Sequence, residues 1–163
     1  MRRGPRGGPR DRGLGWSQGG FSTKVHLRAE GSGQPLTVIL TPGQQHEATV
    51  APRLLRQGAV RRRGPGRPRV RPRRAVGDKG FSSRALRADC RRRGIRHTIP
   101  RRRTEQRSGP FDRAVYRLRE RVERLINRCK QYRSLATRYE KRGESYRALW
   151  TIAMTILWLK ALV

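Results

Sequence analysis

Acidic residues are scarce in this 163-residue chain: 11 Asp and Glu stand against 41 Lys and Arg, a formal net charge of +30. That imbalance excludes a near-neutral enzyme acting on a small anion by local chemistry alone. It points to a polyanion, whose phosphates each neutralise a cation. Lysine is scarce as well, with only Lys24, Lys79, Lys130, Lys141 and Lys160, so the charge is almost entirely arginine. Usage rich in Arg, Gly, Pro and Ala also fits a GC-rich genome, and part of the excess then reflects codon drift. The two cysteines, Cys90 and Cys129, fit no disulfide framework and no zinc spacing, and are read as reduced, packed thiols. Aromatic residues make up 6% and apolar residues 34%, so the core is thin and the chain is one domain or part of one. Long apolar runs are missing. The longest, Ala148 to Leu159, is twelve residues with two Thr inside, short of the ~20 a spanning helix needs. No apolar run follows Met1-Arg2-Arg3, which excludes a signal peptide, and a cytoplasmic location without membrane contact is expected.

What is present has a clear order. Residues 1–20 read as a basic Gly/Pro/Arg arm or linker with little to bury, expected to be disordered. Phe21, Thr23, Val25 and Leu27 alternate with polar residues, the period of a half-buried strand. A turn at 31–35 leads to the apolar run Leu36 to Leu40, completing an antiparallel hairpin. Glu47 to Leu55 predicts a short helix. From Arg53 to Arg74 there are ten Arg and no acid, and Gly64-Pro65-Gly66 with two further prolines excludes a regular element. The basic loop at about 56–74 is either a solvated insert or a contact to nucleic-acid backbone. Ala75-Val76 reads as a strand end leading to Asp78. Ser82 and Ser83 are caps for a helix through Arg93, with Gly94 stopping it. Ile95 to Ile99 is a third strand, and a second basic loop follows at 101–110. One long helix is predicted over 112–133 and a last one over 144–162. The fold class is therefore mixed α/β, a sheet with flanking helices, in residues 21–163.

On a helical wheel Val115, Leu118, Val122, Leu125, Ile126 and Cys129 share one arc, expected to face the core. Tyr116, Arg119, Glu123 and Lys130 fall in a second narrow arc beside it. An aromatic hydroxyl, two cations and a carboxylate along the core's edge suggest a groove lining. Ion pairing at i,i+4 on an exposed helix accounts for the same spacing.

Tyr116-x2-Arg119-x3-Glu123-x6-Lys130 resembles the Y-R-E-K signature of DDE transposases of bacterial insertion sequences. The segments Gly19-Gly20-Phe21-Ser22-Thr23-Lys24, Leu40-Thr41-Pro42-Gly43-Gln44, Gly77-Asp78-Lys79-Gly80-Phe81, Gly94-Ile95-Arg96-His97 and Ala136-Thr137-Arg138-Tyr139-Glu140-Lys141 are similar to that family too. The resemblance covers nearly all of 15–160. It implies an RNase H-like catalytic domain in which three carboxylates hold two Mg²⁺ and transposon-end DNA is cut and joined. Asp78 then matches the second Asp and Glu123 the Glu, both catalytic and metal-binding. Tyr116, Arg119 and Lys130 then touch DNA.

The first catalytic Asp of that pattern has no match. Asp11 is the single acid among residues 1–20, and no apolar strand surrounds it. In the family the strand bearing that Asp is central, so the RNase H-like sheet is expected to be incomplete. The chain reads as the C-terminal part of a transposase, either a truncated copy or the downstream frame of a frameshifted element. Alone it is expected to be inactive. The alternative is a non-catalytic DNA-binding or transposition-inhibiting fragment. Expected partners are transposon-end and target DNA, with a second copy or an intact transposase. His26, His46 and His97 stand at no metal-ligand spacing. His46-Glu47 falls near the site without an assigned role. Asp89 reads as a helix-surface charge and Asp112 as a helix start. The last helix is expected to pack in the core first, with a subunit contact as its second use.

Overall fold

The computed structural model describes residues 15–17, 20–62, 64–106, 109–138, 140 and 142–162. The fold is mixed α/β. Strands β1 (Gly15–Ser17), β2 (Gly20–Ala29) and β3 (Pro35–Pro42) form an antiparallel sheet in that order. The β2–β3 register places Val25 opposite Leu40 and Leu27 opposite Val38. The turn between them is fixed by Glu30, whose carboxylate accepts the backbone N–H groups of Ser32 (2.8 Å) and Gln34 (3.1 Å). Gly33 adopts φ 99° there, with the Arg121 side chain packed against it; a side chain at that φ would be strained. β1 lies within the arm that its composition marks as disordered. Pairing with Gly20–Ser22 supplies the backbone partners that apolar content does not. The rest of that expectation, and Asp11 with it, lies outside the described residues.

Helix α1 (Glu47–Arg56) follows β3, with His46 as its cap. β4 (Arg74–Val76) and β5 (Arg96–Thr98) form a separate two-stranded parallel sheet, connected by α2 (Arg84–Arg92). Ser83 caps α2 through the Leu86 N–H. A cavity of about 380 Å³ lies between the two sheets, lined by Leu27 and Ala29 of β2, Ala75 and Val76 of β4, and Leu54 of α1.

The predicted single helix over 112–133 is divided. It consists of α3 (Arg113–Arg117), α4 (Glu120–Lys130) and, after a turn, α5 (Arg133–Thr137). Between α3 and α4 the amides of Leu118, Arg119, Arg121 and Val122 each bond three residues back. Tightening to about 120° per residue turns α4 about its axis relative to a regular continuation of α3. Leu118 is accordingly 42% exposed instead of facing the core. Leu125 and Cys129 keep the buried arc.

Two main apolar clusters hold these elements. In the larger, Leu125, Cys129 and Leu135 meet Tyr146, Trp150, Ala153, Met154 and Leu157 of α6 (Gly143–Lys160), against the inner residues of β2 and β3. Trp158 donates from its indole to the Pro35 carbonyl at 2.6 Å, tying α6 to the start of β3. The opposite face of α6 leaves Ile152 and Leu159 exposed. In the second cluster Ala51, Leu86, Cys90, Ile95 and Ile99 join α1, α2 and β5. Both cysteines are free and buried. Asp89, a surface charge by sequence, is buried and accepts from Arg92 (2.6 Å) and Arg93 (3.3 Å).

The basic loop expected at about 56–74 lies between α1 and β4, and its described residues from 57 to 73 contain one isolated bridge, Val60 to Arg69, and no helix or strand. The Arg28 guanidinium on β2 anchors it. Its donors reach the Gln57 carbonyl at 2.6 Å and the Val70 carbonyl at 2.8 Å, with Leu54 and Leu55 carbonyls at 3.3 Å.

His26 is buried on β2, its Nε2 2.8 Å from Thr41 Oγ1 and its ring edge-on to Phe81. Burial holds its pKa below the ordinary 6.5, and Lys24 acts the same way; the Glu47 carboxylate opposes them. The unfolded chain therefore takes up this proton first as pH falls. Stability should be at its full value above about pH 6.5 and decline toward the lowered folded value. Urea midpoints at pH 7.5 and 5.5 should show that decline, and His26→Gln should reduce it. His97, lowered chiefly by burial as well, keeps its own share of the slope.

Candidate active site

β4 ends at Val76, and Gly77 leads directly to Asp78. Asp78 caps a single 3₁₀ turn, Lys79–Phe81, by accepting the Lys79 N–H at 2.7 Å. Its side chain remains 57% exposed. The Glu47 carboxylate lies over Gly80, where a Cβ would project, so a side chain at this position would have to displace that carboxylate. Glu47, the first residue of α1, is also paired with Lys24 of β2 at 3.4 Å. The turn bearing Asp78 is thus held between β2 and α1. No local sequence pattern marks this contact, since Lys24, Glu47 and Gly80 are each more than twenty residues apart.

Across from the turn stand α3 and α4. The Tyr116 hydroxyl donates to Asp78 Oδ1 at 3.4 Å. Arg119 Nη1 lies 2.5 Å from Glu123 Oε1 and 4.0 Å from Asp78 Oδ1, and its guanidinium sits 5.3 Å from the Tyr116 ring centroid. Burial raises the Tyr116 pKa first, and the Asp78 and Glu123 charges add to it, so the phenol stays protonated. Of the four residues singled out by spacing, Tyr116, Arg119 and Glu123 converge with Asp78, the residue matched through the family resemblance. Lys130 does not join them. It stands two turns beyond Glu123, about 10 Å along the helix axis at 1.5 Å per residue, exposed and without an ion pair among the described residues.

Two carboxylates on separate elements, both open to water, are hard oxygen donors of the kind Mg²⁺ takes. They are few in number: among the described residues no group of three His, Cys, Asp or Glu is placed to hold an ion. The guanidinium of Arg119 occupies the space beside both.

The rim of this region is basic and braced from below. Arg102 Nη2 meets His46 Nε2 at 2.5 Å, linking the second basic loop to the start of α1. Ser82, expected to cap α2, instead donates to the Glu105 carboxylate at 2.9 Å. The buried Arg87 guanidinium joins Glu105 (2.7 Å), Ser82 (2.7 Å) and the Ile99 and Pro100 carbonyls (3.3 Å each). This network fixes the loop from 100 to 105 against the Asp78 turn.

An aspartate just past the end of β4 thus faces Tyr116 of α3, Arg119 and Glu123 of α4. The transposase DDE domain family matches residues 5–158, and the chain belongs to that family. A protein of Burkholderia cepacia described as "Putative transposase for insertion sequence element IS402" is 30% identical over 135 residues, which cover 83% of this chain and 62% of that protein. The chain therefore spans less than two thirds of that relative. No solved structure matches it. Among the described residues no helix is long and apolar enough to cross a membrane.

Proposed function

We propose that this chain carries part of a transposase active site, with Asp78 and Glu123 as metal-binding catalytic carboxylates and Tyr116, Arg119 and Lys130 as contacts to DNA. The observation that carries this reading is the convergence of Asp78, Tyr116, Arg119 and Glu123 from two separate parts of the chain. Mg²⁺ held by the two carboxylates would activate the attacking oxygen and steady the leaving oxygen of a phosphodiester. Arg119, already between the two acids, would turn to a phosphate as the ion neutralises them, and Tyr116 would hold Asp78 in place. What supports an RNase H-like reading is the cavity between β2 and β4, where a middle strand bearing a third carboxylate would lie in that arrangement.

The purified chain is expected to bind Mn²⁺ at millimolar concentration with paramagnetic broadening confined to residues near Asp78 and Glu123. Asp78→Asn should remove that broadening. Broadening elsewhere, or none, would count against the metal site. The isolated chain should not nick a transposon-end duplex in Mg²⁺; nicking abolished by Glu123→Gln would overturn that expectation.

A second reading, a DNA-binding or transposition-inhibiting fragment that needs no metal, is favoured by the Arg119 guanidinium standing between Asp78 and Glu123. Duplex binding unchanged by EDTA and by Asp78→Asn, without any Mn²⁺ site, would select it.

A further inference from the structure

A second concave surface lies beyond the Asp78 pair. A cleft of about 890 Å³ opens between β5, the end of α2 and the Gly109–Arg113 segment. Its volume falls within the ~300–1,000 Å³ of ordinary ligand sites. Its cations include Arg91, Arg96 and Arg113, none of which has an acidic partner among the described residues. Asp112 is the one acid among the described residues of its lining, and it is committed: it accepts the Val115 N–H at 2.9 Å and pairs with Arg74 at 3.1 Å. Phe111, also in the wall, is 43% exposed. One side of its ring meets Tyr116, with centroids 5.2 Å apart and planes at 60°, so the ring is held while part of it remains open. His97 lines the same cleft, and burial together with Arg87, Arg91 and Arg101 holds its pKa below 6.5. It therefore presents a neutral imidazole.

Unpaired arginines around an exposed, braced aromatic ring are the elements that recognise a nucleic-acid strand whose bases are unstacked. The cations take the phosphates, and the ring takes the face of a base. A duplex can use the first but not the second, because its bases are stacked on each other. An acidic peptide can use the cations and has no use for the ring's flat face.

We propose that the cleft formed by β5 and Gly109–Arg113 binds single-stranded nucleic acid, one base lying on Phe111 and the neighbouring phosphates on Arg91, Arg96 and Arg113. The proposal rests on the DNA-binding part of the reading above and not on the chemistry of Asp78 or Glu123. Through Tyr116, the ring that receives the base is one aromatic contact from Asp78, so a strand seated here would have its next phosphate near the carboxylates.

The test uses the whole 163-residue chain in EDTA, with anisotropy of a labelled fifteen-nucleotide single strand of mixed sequence and of the same length in duplex form. Phe111→Ala should weaken single-strand binding on the order of tenfold and leave duplex binding within about twofold, as expected for loss of one stacked base. Phe111→Trp should restore the affinity, and oligonucleotide should quench the added indole fluorescence. Single-strand binding unchanged in Phe111→Ala, with duplex binding intact, would overturn the cleft assignment alone. Failure of the unchanged chain to bind either form would overturn both this proposal and the DNA-binding reading. Polyglutamate binding with the same dependence on Phe111 would also overturn it, in favour of an acidic polypeptide.

Discussion

Trp150→Ala is expected to lower the unfolding free energy by about 4 kcal/mol, the usual cost of emptying a fully buried large aromatic site. Trp150 is 0% exposed, at the centre of the cluster that joins α4, α5 and α6 to the hairpin. The Tyr146 ring meets it edge-on at 6.3 Å, and the Tyr146 hydroxyl is itself tied to the Leu135 carbonyl at 2.9 Å. The void would thus be walled by side chains with little freedom to close it. Trp150→Phe should cost much less, about 1–2 kcal/mol, because the buried indole Nε1 has no hydrogen-bond partner among the described residues and its removal loses none. Urea unfolding followed by circular dichroism measures both changes. A domain of this size has about 5–15 kcal/mol in total, so the Ala variant should lie close to unfolding at ordinary temperature.

Glu105→Ala is expected to destabilise by about 3 kcal/mol, within the range for removing one partner of a buried ion pair. The cost falls on Arg87, whose side chain is 6% exposed and would keep its charge with only Ser82 and two carbonyls around it. Removing the arginine instead should cost less, since Glu105 at 23% exposure can turn to water. The two variants therefore separate desolvation from attraction. Glu105→Ala should also speed hydrogen exchange in residues 100–106 more than in α6. Equal effects from both substitutions, or no change in the loop, would show that the network does not brace it.

The parts of the fold with regular periodicity were legible in the sequence. The alternation from Phe21 to Leu27 marked β2, the apolar run at Leu36 marked β3, Asp112 marked a helix start at the right residue, and of the pair Ser82–Ser83 only Ser83 caps α2. The family was legible from the spacing of Tyr116, Arg119, Glu123 and Lys130. The interruption at Leu118 was not, because residues 117–120 contain no glycine or proline to mark the tightening between α3 and α4. Nor was the pairing of Arg87 with Glu105, since one arginine among 41 Lys and Arg has no mark in the sequence that it is buried. The lodging of Glu47 over Gly80 was equally hidden: a glycine in Asp78-Lys79-Gly80 signals a turn but not what fills the space above it.

Arg28 bears on how strongly salt should act on this protein. Its guanidinium is committed to backbone carbonyls of Gln57 and Val70 and is removed from the set that meets a ligand. Arg87 and Arg93 are likewise engaged within the fold. The slope of log affinity against log salt counts only those cations that displace counterions from phosphates, at about 0.9 per duplex contact. It should therefore fall far short of what a formal charge of +30 suggests.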